Sequence, residues 1–600
     1  MTAAIALDLG TTTIKAGLLS HDGTLGGIVA RPAPAILSHD GRYESEALEY
    51  AETADAVLAE CLAQTNALPR HGGAEPSGVC RSGFNPTAHS RAEARPAAGN
   101  VPEVRLPLGL CSQRSSFLLW ERANGQPVTP LISWQDDRGA ASCADLRESE
   151  PAIRALTGLP LTPYYLAPKL RVLLREHPAW REKLVRGEWL LGTLDTFLIW
   201  RWTGGKCHQT DVSMAARTLL LDVHCGQWSP VLCALFDIPP SILPQITPSA
   251  GLALPLQNGL CLQAGVGDQS AALLAAISEG QPEALVNLGT GGFVVCFLPP
   301  GRSVPTGYLK TLVWQDAAQQ MHLAAEGTLN SIAAALADYP VASCRAEDLA
   351  QDDIFCLAEP SGLGAPYFRS DLGLTFSAPV DHLPPQRIAA LLIEGILFRV
   401  ARILEDFQRE FGLERVYLSG GLANLPALQQ GLAQCFPLGV RPRHGGAEPS
   451  GAGAGATHFL PQSADLVGNV SEVRPRHGGA EPSGACRSGF NPTAHSRAEA
   501  RPTVGNVSEV RPRHGGAEPS GAGAGATHFL PQSADLVGNV SEVRLLAQKE
   551  ASLEGVARLA AGIARPAHGR GIRIDGGQPS PALTTKYQRW KAWLAQQLQS

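Results

Sequence analysis

Asp8 closes an apolar run and is followed by Gly10-Thr11-Thr12-Thr13, a turn of small, hydroxyl-bearing residues. Ile5 to Leu19 reads as a strand, a tight turn and a second strand of alternating apolar residues. Backbone N–H groups and hydroxyls in such a turn form a nest that cradles phosphate. A carboxylate at its mouth, Asp8, is placed to bind Mg²⁺ directly or through water. An ordinary hairpin with a buried, capping aspartate explains the segment equally well when it is taken alone. A second turn of the same kind, Gly289-Thr290-Gly291, follows the strand-like Val286-Asn287-Leu288 and precedes Phe293-Val294-Val295. A third, Gly420-Gly421, follows Val416-Tyr417-Leu418-Ser419 and leads through Asn424 into a helix from about Pro426.

Three small-residue turns after apolar strands, in this order, specify more than any one of them. Together they predict an α/β protein of two actin-like (ribonuclease H-like) ATPase domains flanking a cleft. Each domain would supply one phosphate hairpin, with the third turn beside the adenosine. The domains are expected over 1–250 and 251–565, followed by a tail over 566–600 with a short helix.

The 600 residues carry 49 Lys and Arg against 55 Asp and Glu, a net charge of -6, which argues against a nucleic-acid partner. Thirteen scattered cysteines with no CxxC pair indicate neither a disulfide framework nor a zinc cage. The N-terminus has no basic region before its apolar stretch, and no apolar run reaches the roughly 18 residues of a membrane span. A cytoplasmic protein without a membrane partner is expected.

Gly and Pro are over-represented, at 63 and 46 residues, and repeats explain the excess. Residues 441–473 recur unchanged at 511–543, and a variant of the unit over 474–510 reappears almost verbatim at 69–105. Packed solenoid repeats share a sparse apolar pattern and vary elsewhere, whereas these copies are identical and lack such a pattern. They read as low-complexity insertions over 69–105 and 441–544, the second expected to be disordered from its composition. Removing them leaves 459 residues, a length suited to a two-domain enzyme. Both insertions fall at helix-to-strand connections, where added loop length costs little because closure entropy grows logarithmically.

Other stretches make the chain resemble the FGGY family of carbohydrate kinases, most closely its glycerol kinase branch. They are Ile132-Ser133-Trp134-Gln135-Asp136-Asp137-Arg138, Pro163-Tyr164-Tyr165-Leu166-Ala167-Pro168-Lys169, Thr210-Asp211-Val212-Ser213-Met214-Ala215-Ala216-Arg217-Thr218, Gly267-Asp268-Gln269-Ser270 and Gly362-Leu363-Gly364-Ala365-Pro366-Tyr367. The resemblance implies ATP and Mg²⁺ as cofactors and a small polyol or sugar as the acceptor. A hydroxyl of very high pKa attacks better when a carboxylate accepts its proton, and the resemblance assigns that general-base role to Asp268, with a turn-capping aspartate as the competing reading. It implies phosphate binding by Gly10, Thr11, Thr12, Thr13, Gly289, Thr290 and Gly291. Lys15 matches a basic family position, where a solvated hairpin lysine is the competing reading. Gly420, Gly421 and Asn424 would line the adenosine pocket, and Asp8 would hold the metal.

For the acceptor, the resemblance points to Arg114, Ser115, Tyr164, Asp268 and Gln269. In glycerol kinases an Arg-Glu pair binds the polyol hydroxyls; here Arg114 is kept and the glutamate position is Ser115. Losing a buried acceptor costs about 1–3 kcal/mol, enough to change the preferred substrate, so glycerol, another polyol and a ketose all stay open. A catalytically silent, nucleotide-binding or regulatory relative is the rival reading. Self-association is left open.

Overall fold

The computed structural model describes residues 2–67, 105–435, 542–546, 550–563, 572–574 and 579–599. The low-complexity insertions lie outside the described residues, except at their edges. Arg105 donates Nη1 to the Leu256 carbonyl (3.0 Å). The last repeat residues do not belong to a loop: Glu542–Leu545 is a strand whose Val543 is buried opposite Val416. Repeat identity had set the boundary at 544, but burial of this alternating segment carries the sheet back to 542.

Two sheets share one topology. The first takes its strands from β1 (Thr2–Leu9), β2 (Thr13–Ser20), β3 (Leu25–Pro32), β4 (Pro107–Ser112), β5 (Ala250–Pro255) and β6 (Cys261–Gly267), in the order β5-β6-β4-β1-β2-β3. β1 to β3 form an antiparallel meander, and β1, β4 and β6 run parallel. The second comprises β7 (Glu283–Leu288), β8 (Gly292–Phe297), β9 (Leu309–Gln315), β10 (Met321–Leu329), β11 (Arg415–Ser419), β12 (Glu542–Leu545) and β13 (Ile572–Arg573), in the order β9-β10-β8-β7-β11-β12-β13. Again β7, β8 and β10 form a meander while β7, β11 and β12 run parallel. The Gly10 and Gly289 turns therefore occupy equivalent hairpins, as the actin-like reading expects.

The first sheet is covered on one face by α1 (Ala47–Ala67), whose Tyr50, Ala54 and Val57 pack on Ile5 and Leu7. The other face meets α2 (Asp268–Ala276) and α3 (Ala551–Ala561), with Leu553, Val556 and Ala557 against Ala4, Ala6 and Val266. Strands 250–267 and helix 551–561 thus join the first sheet, although the sequence reading drew its boundary at 250. Long-range strand order, invisible to local pattern, makes the difference. The second sheet packs on α4 (Pro385–Phe411) and on α5 (Pro426–Cys435), which starts at the expected proline. The tail carries α6 (Pro581–Gln597), 17 residues long, with Tyr587 and Trp590 buried in that same core. Among the described residues no helix is long and apolar enough to cross a membrane.

Candidate active site

The first hairpin turn is held from three sides. Tyr50 Oη donates to the Gly10 carbonyl (2.6 Å), and the Ala33 N–H donates to Thr12 O (3.0 Å). Trp134 Nε1 donates to Thr11 Oγ1 (3.0 Å), which itself donates to Gln113 Oε1 (3.4 Å). Ser116 Oγ donates to the same Gln113 oxygen (2.9 Å) and accepts from the Trp134 N–H (3.0 Å). The turn, the loop after β4 and Trp134 are therefore one network. Thr12 stays exposed and Thr13 opens β2.

Asp8, next to that turn, is 8% exposed. Its oxygens accept from Ser552 Oγ (2.6 Å) on α3 and from the Cys111 thiol (3.4 Å) on β4. Burial raises its pKa to about 6; the Ser552 hydrogen bond opposes this and the nearby Asp268 charge adds to it. Lys15, across the hairpin from Asp8, is claimed by Glu550 at 2.6 Å.

Asp268 is the first residue of α2, directly after β6. Its Oδ1 accepts from the Gln269 N–H (2.7 Å) and lies 3.5 Å from Arg114 Nε. Burial raises its pKa, and Arg114 opposes that rise. Glycine at the preceding position 267 leaves room for Arg114, whose Cδ would stand 2.6 Å from a Cβ there. The Gly267 N–H donates to Ser213 Oγ (2.9 Å), which is anchored in turn on buried Asp211 (2.9 Å). Arg114 also hydrogen-bonds Gln269 through Nη2.

Tyr164 and Trp134 meet with ring centroids 5.3 Å apart. Lys169, with no exposed surface, ties their loops together by donating to Ser133 O (2.8 Å) and Tyr164 O (3.0 Å). Burial pushes this ammonium down to about 7, against the Asp136 charge. Ser115 is fully buried at φ 65° and its hydroxyl donates to the Arg217 carbonyl (2.7 Å).

The second hairpin closes with the Gly289 N–H on Gly291 O (2.8 Å), leaving Thr290 exposed and its carbonyl on the Ala333 N–H (3.2 Å). Gly420 sits at φ 91° against this hairpin, where a Cβ would lie 2.3 Å from Leu288 O. Gly421 has open space around its Cα, and exposed Asn424 donates to its carbonyl (3.3 Å). The structure thus gathers the expected residues into two groups, one around Asp8 and Asp268, the other around Gly289 and Gly420. A cavity lies between Arg114 and Gln269 on the first side and Asn287 and Phe293 of the second hairpin, although Asp8, Asp268, Gly289 and Gly420 do not line it.

The arrangement is that of two actin-like domains with a carboxylate pair and two small-residue hairpins, and comparison with known proteins agrees. Residues 105–274 match the FGGY family of carbohydrate kinases, N-terminal domain, and residues 284–456 match its C-terminal domain. A glycerol kinase of Rhodopirellula baltica is 31% identical over 497 residues, 77% of this chain and 84% of that protein. The chain belongs to the FGGY family of carbohydrate kinases. A glycerol kinase of Thermus brockianus is 34% identical, covering 61% of this chain and 79% of its own. Among solved structures, Plasmodium falciparum glycerol kinase with ADP superposes at a TM-score of 0.60 with 21% identity, over 72% of this chain and 85% of that one. A xylulose kinase from Rhodospirillum rubrum gives 0.62 with 18% identity, over 99% and 98%; at such identities the likeness concerns the fold.

The kinase holds site residues that sequence reasoning did not select. Trp134, Lys169 and Arg217 stood inside the quoted words without a role. Gln113 stood beside Arg114 in a matched word without a role, Tyr50 carries no signal in sequence, and Ser552 and Glu550 come from the start of a helix more than 500 residues along the chain. As for the metal, Mg²⁺ usually takes one or two carboxylates beside substrate phosphates rather than an all-protein cage. The mutually repelling Asp8 and Asp268 fit that pattern, and among the described residues there is no larger ligand cluster.

Proposed function

We propose that the kinase transfers the γ-phosphoryl group of ATP to a hydroxyl of a small polyol or sugar, glycerol or a close relative, with Asp268 as general base. The carrying observation is the placement of Asp268: at a helix start, fixed by Gln269 N–H and Arg114, with a carboxyl whose pKa is raised by burial. A raised carboxyl is a better proton acceptor, and positioned bases contribute about 10²–10⁴-fold. Arg114 and the Trp134–Tyr164 wall orient the acceptor carbon chain beside it. The Gly10–Thr13 and Gly289–Gly291 turns offer N–H groups to the phosphates, and Gly420, Gly421 and Asn424 border the adenosine. Lys15 would contribute by exchanging Glu550 for phosphate. Asp8 would hold Mg²⁺, which neutralises phosphate charge when bound. Closure of the cleft excludes water, the competing acceptor.

An ADP-release assay over a polyol and ketose panel tests this, with Asp268→Asn alongside. Acceptor-dependent release that the variant loses is the expected result. ATP binding without release on any acceptor would favour a silent, regulatory relative.

A further inference from the structure

Arg217 and Glu326 form a buried ion pair (2.7 Å) between the first domain's Ala216–Thr218 turn and β10 of the second sheet. Glu326 is 3% exposed, and its Oε2 accepts from both Arg217 Nη2 (2.7 Å) and Thr311 Oγ1 (2.6 Å). Its other oxygen, Oε1, has no hydrogen-bond partner among the described residues, although the residue lines the cavity shared with Arg114, Gln269 and Phe293. Oε1 is not among the fully buried polar atoms left without a partner, so it meets the solvent of that cavity. A hydroxyl donor on a ligand can take that solvent's place.

Ser115 stands where an acceptor carboxylate was expected, and its hydroxyl is spent on Arg217 O. We infer that Glu326 supplies the missing acceptor: its Oε1 takes a hydrogen bond from a non-reacting hydroxyl of a substrate held beside Arg114 and Gln269. This rests on the phosphoryl-transfer reading above and narrows its substrate class. The cations facing the cavity are already matched, Arg217 by Glu326 and Arg114 by Asp268. A carboxylate on the substrate would enter beside Glu326 with no cation left to pair it, and burying an unpaired charge is strongly unfavourable. The substrate is therefore a neutral polyol or sugar with at least one hydroxyl besides the reacting one, and not an aldonic acid. The Arg217–Thr311 clasp makes Glu326 specificity-determining, since it fixes one oxygen and directs the other.

The test measures KM and kcat for glycerol, erythritol, xylulose and gluconate on the full chain and on Glu326→Gln, with ATP affinity followed by calorimetry. In the variant the amide oxygen stays on Arg217 and Thr311, and an NH₂ donor replaces Oε1 in the cavity. Hydrogen bonds to charged groups correspond to about 10- to 100-fold in binding. The expected result is a KM for the best neutral acceptor raised by about that factor, unchanged ATP affinity, and a smaller preference over gluconate. An unchanged KM, or an equal kcat loss on every acceptor, overturns the assignment. Should Glu326→Gln not fold, the unaltered kinase decides with deoxy analogues of its best acceptor. One non-reacting hydroxyl whose removal raises KM at least tenfold supports the assignment, and indifference at every position overturns it. Turnover with an indifferent KM rejects this inference alone; no turnover with any acceptor rejects the kinase reading and this one with it.

Discussion

Replacing Asp8 by asparagine should stabilise the ligand-free kinase while removing its response to Mg-ATP. The carboxyl is buried, and its pKa is raised from 3.8 to about 6. Asparagine is close to an isostere of the protonated acid and can keep the Ser552 hydrogen bond. Below pH ~4 the carboxyl is neutral in both folded and unfolded chains, so the two proteins should match. As pH rises from 4 to 6 the unfolded chain ionises first, and wild-type stability falls. Above pH 6 the penalty is constant at about 3 kcal/mol, from about two pKa units at 1.36 kcal/mol each. By pH 5 about half of it has developed. The assay is urea unfolding in EDTA at pH 5, 6, 7 and 8. Asp8→Asn should be the more stable protein, by a margin that grows with pH and levels off near 7. With Mg-ATP the order should reverse, because ligand binding stabilises only a chain that binds it. A margin that is flat across this range, or a variant less stable at pH 8 in EDTA, would refute the reasoning.

Lys169→Met orphans the Ser133 and Tyr164 carbonyls and frees the two loops that pair Trp134 with Tyr164. The acceptor KM should rise about tenfold or more, in line with 1–3 kcal/mol per lost partner, with ATP affinity unchanged by calorimetry; Lys169→Arg should restore part of it. Gly555→Ala should be severely destabilising, since its Cβ would lie 1.8 Å from Ala271 O on the helix that begins with Asp268. Thermal melts and soluble yield check it, and a variant that melts with the wild type would remove α3 from the site's support. Ser115→Ala should leave the acceptor KM within about twofold while lowering stability by about 1 kcal/mol, the size of one buried hydrogen bond; a steep KM rise would return Ser115 to the substrate.

The glycine turns were legible because each is local: an apolar strand, a small-residue turn and, for two of them, a second strand. The helix start at Pro426 was legible for the same reason. Glu326 was not, since its meaning depends on Arg217, 109 residues away, and on the packing of β10 against the first domain. Ser552 and Glu550 reach the first hairpin only because a late helix returns to the first sheet, a matter of strand order. Ser115 was named for its place in a matched word; that its hydroxyl donates to Arg217 O at φ 65° could not be read from that word.

The central claim, that Asp268 takes the proton of an acceptor hydroxyl during phosphoryl transfer, is tested most directly by acceptor-dependent ADP release from the purified full chain and from Asp268→Asn, with ATP binding measured on both. The account predicts release with a neutral polyol or sugar that falls by about 10²-fold or more in the variant, at unchanged ATP affinity. Equal release by the two proteins would contradict it.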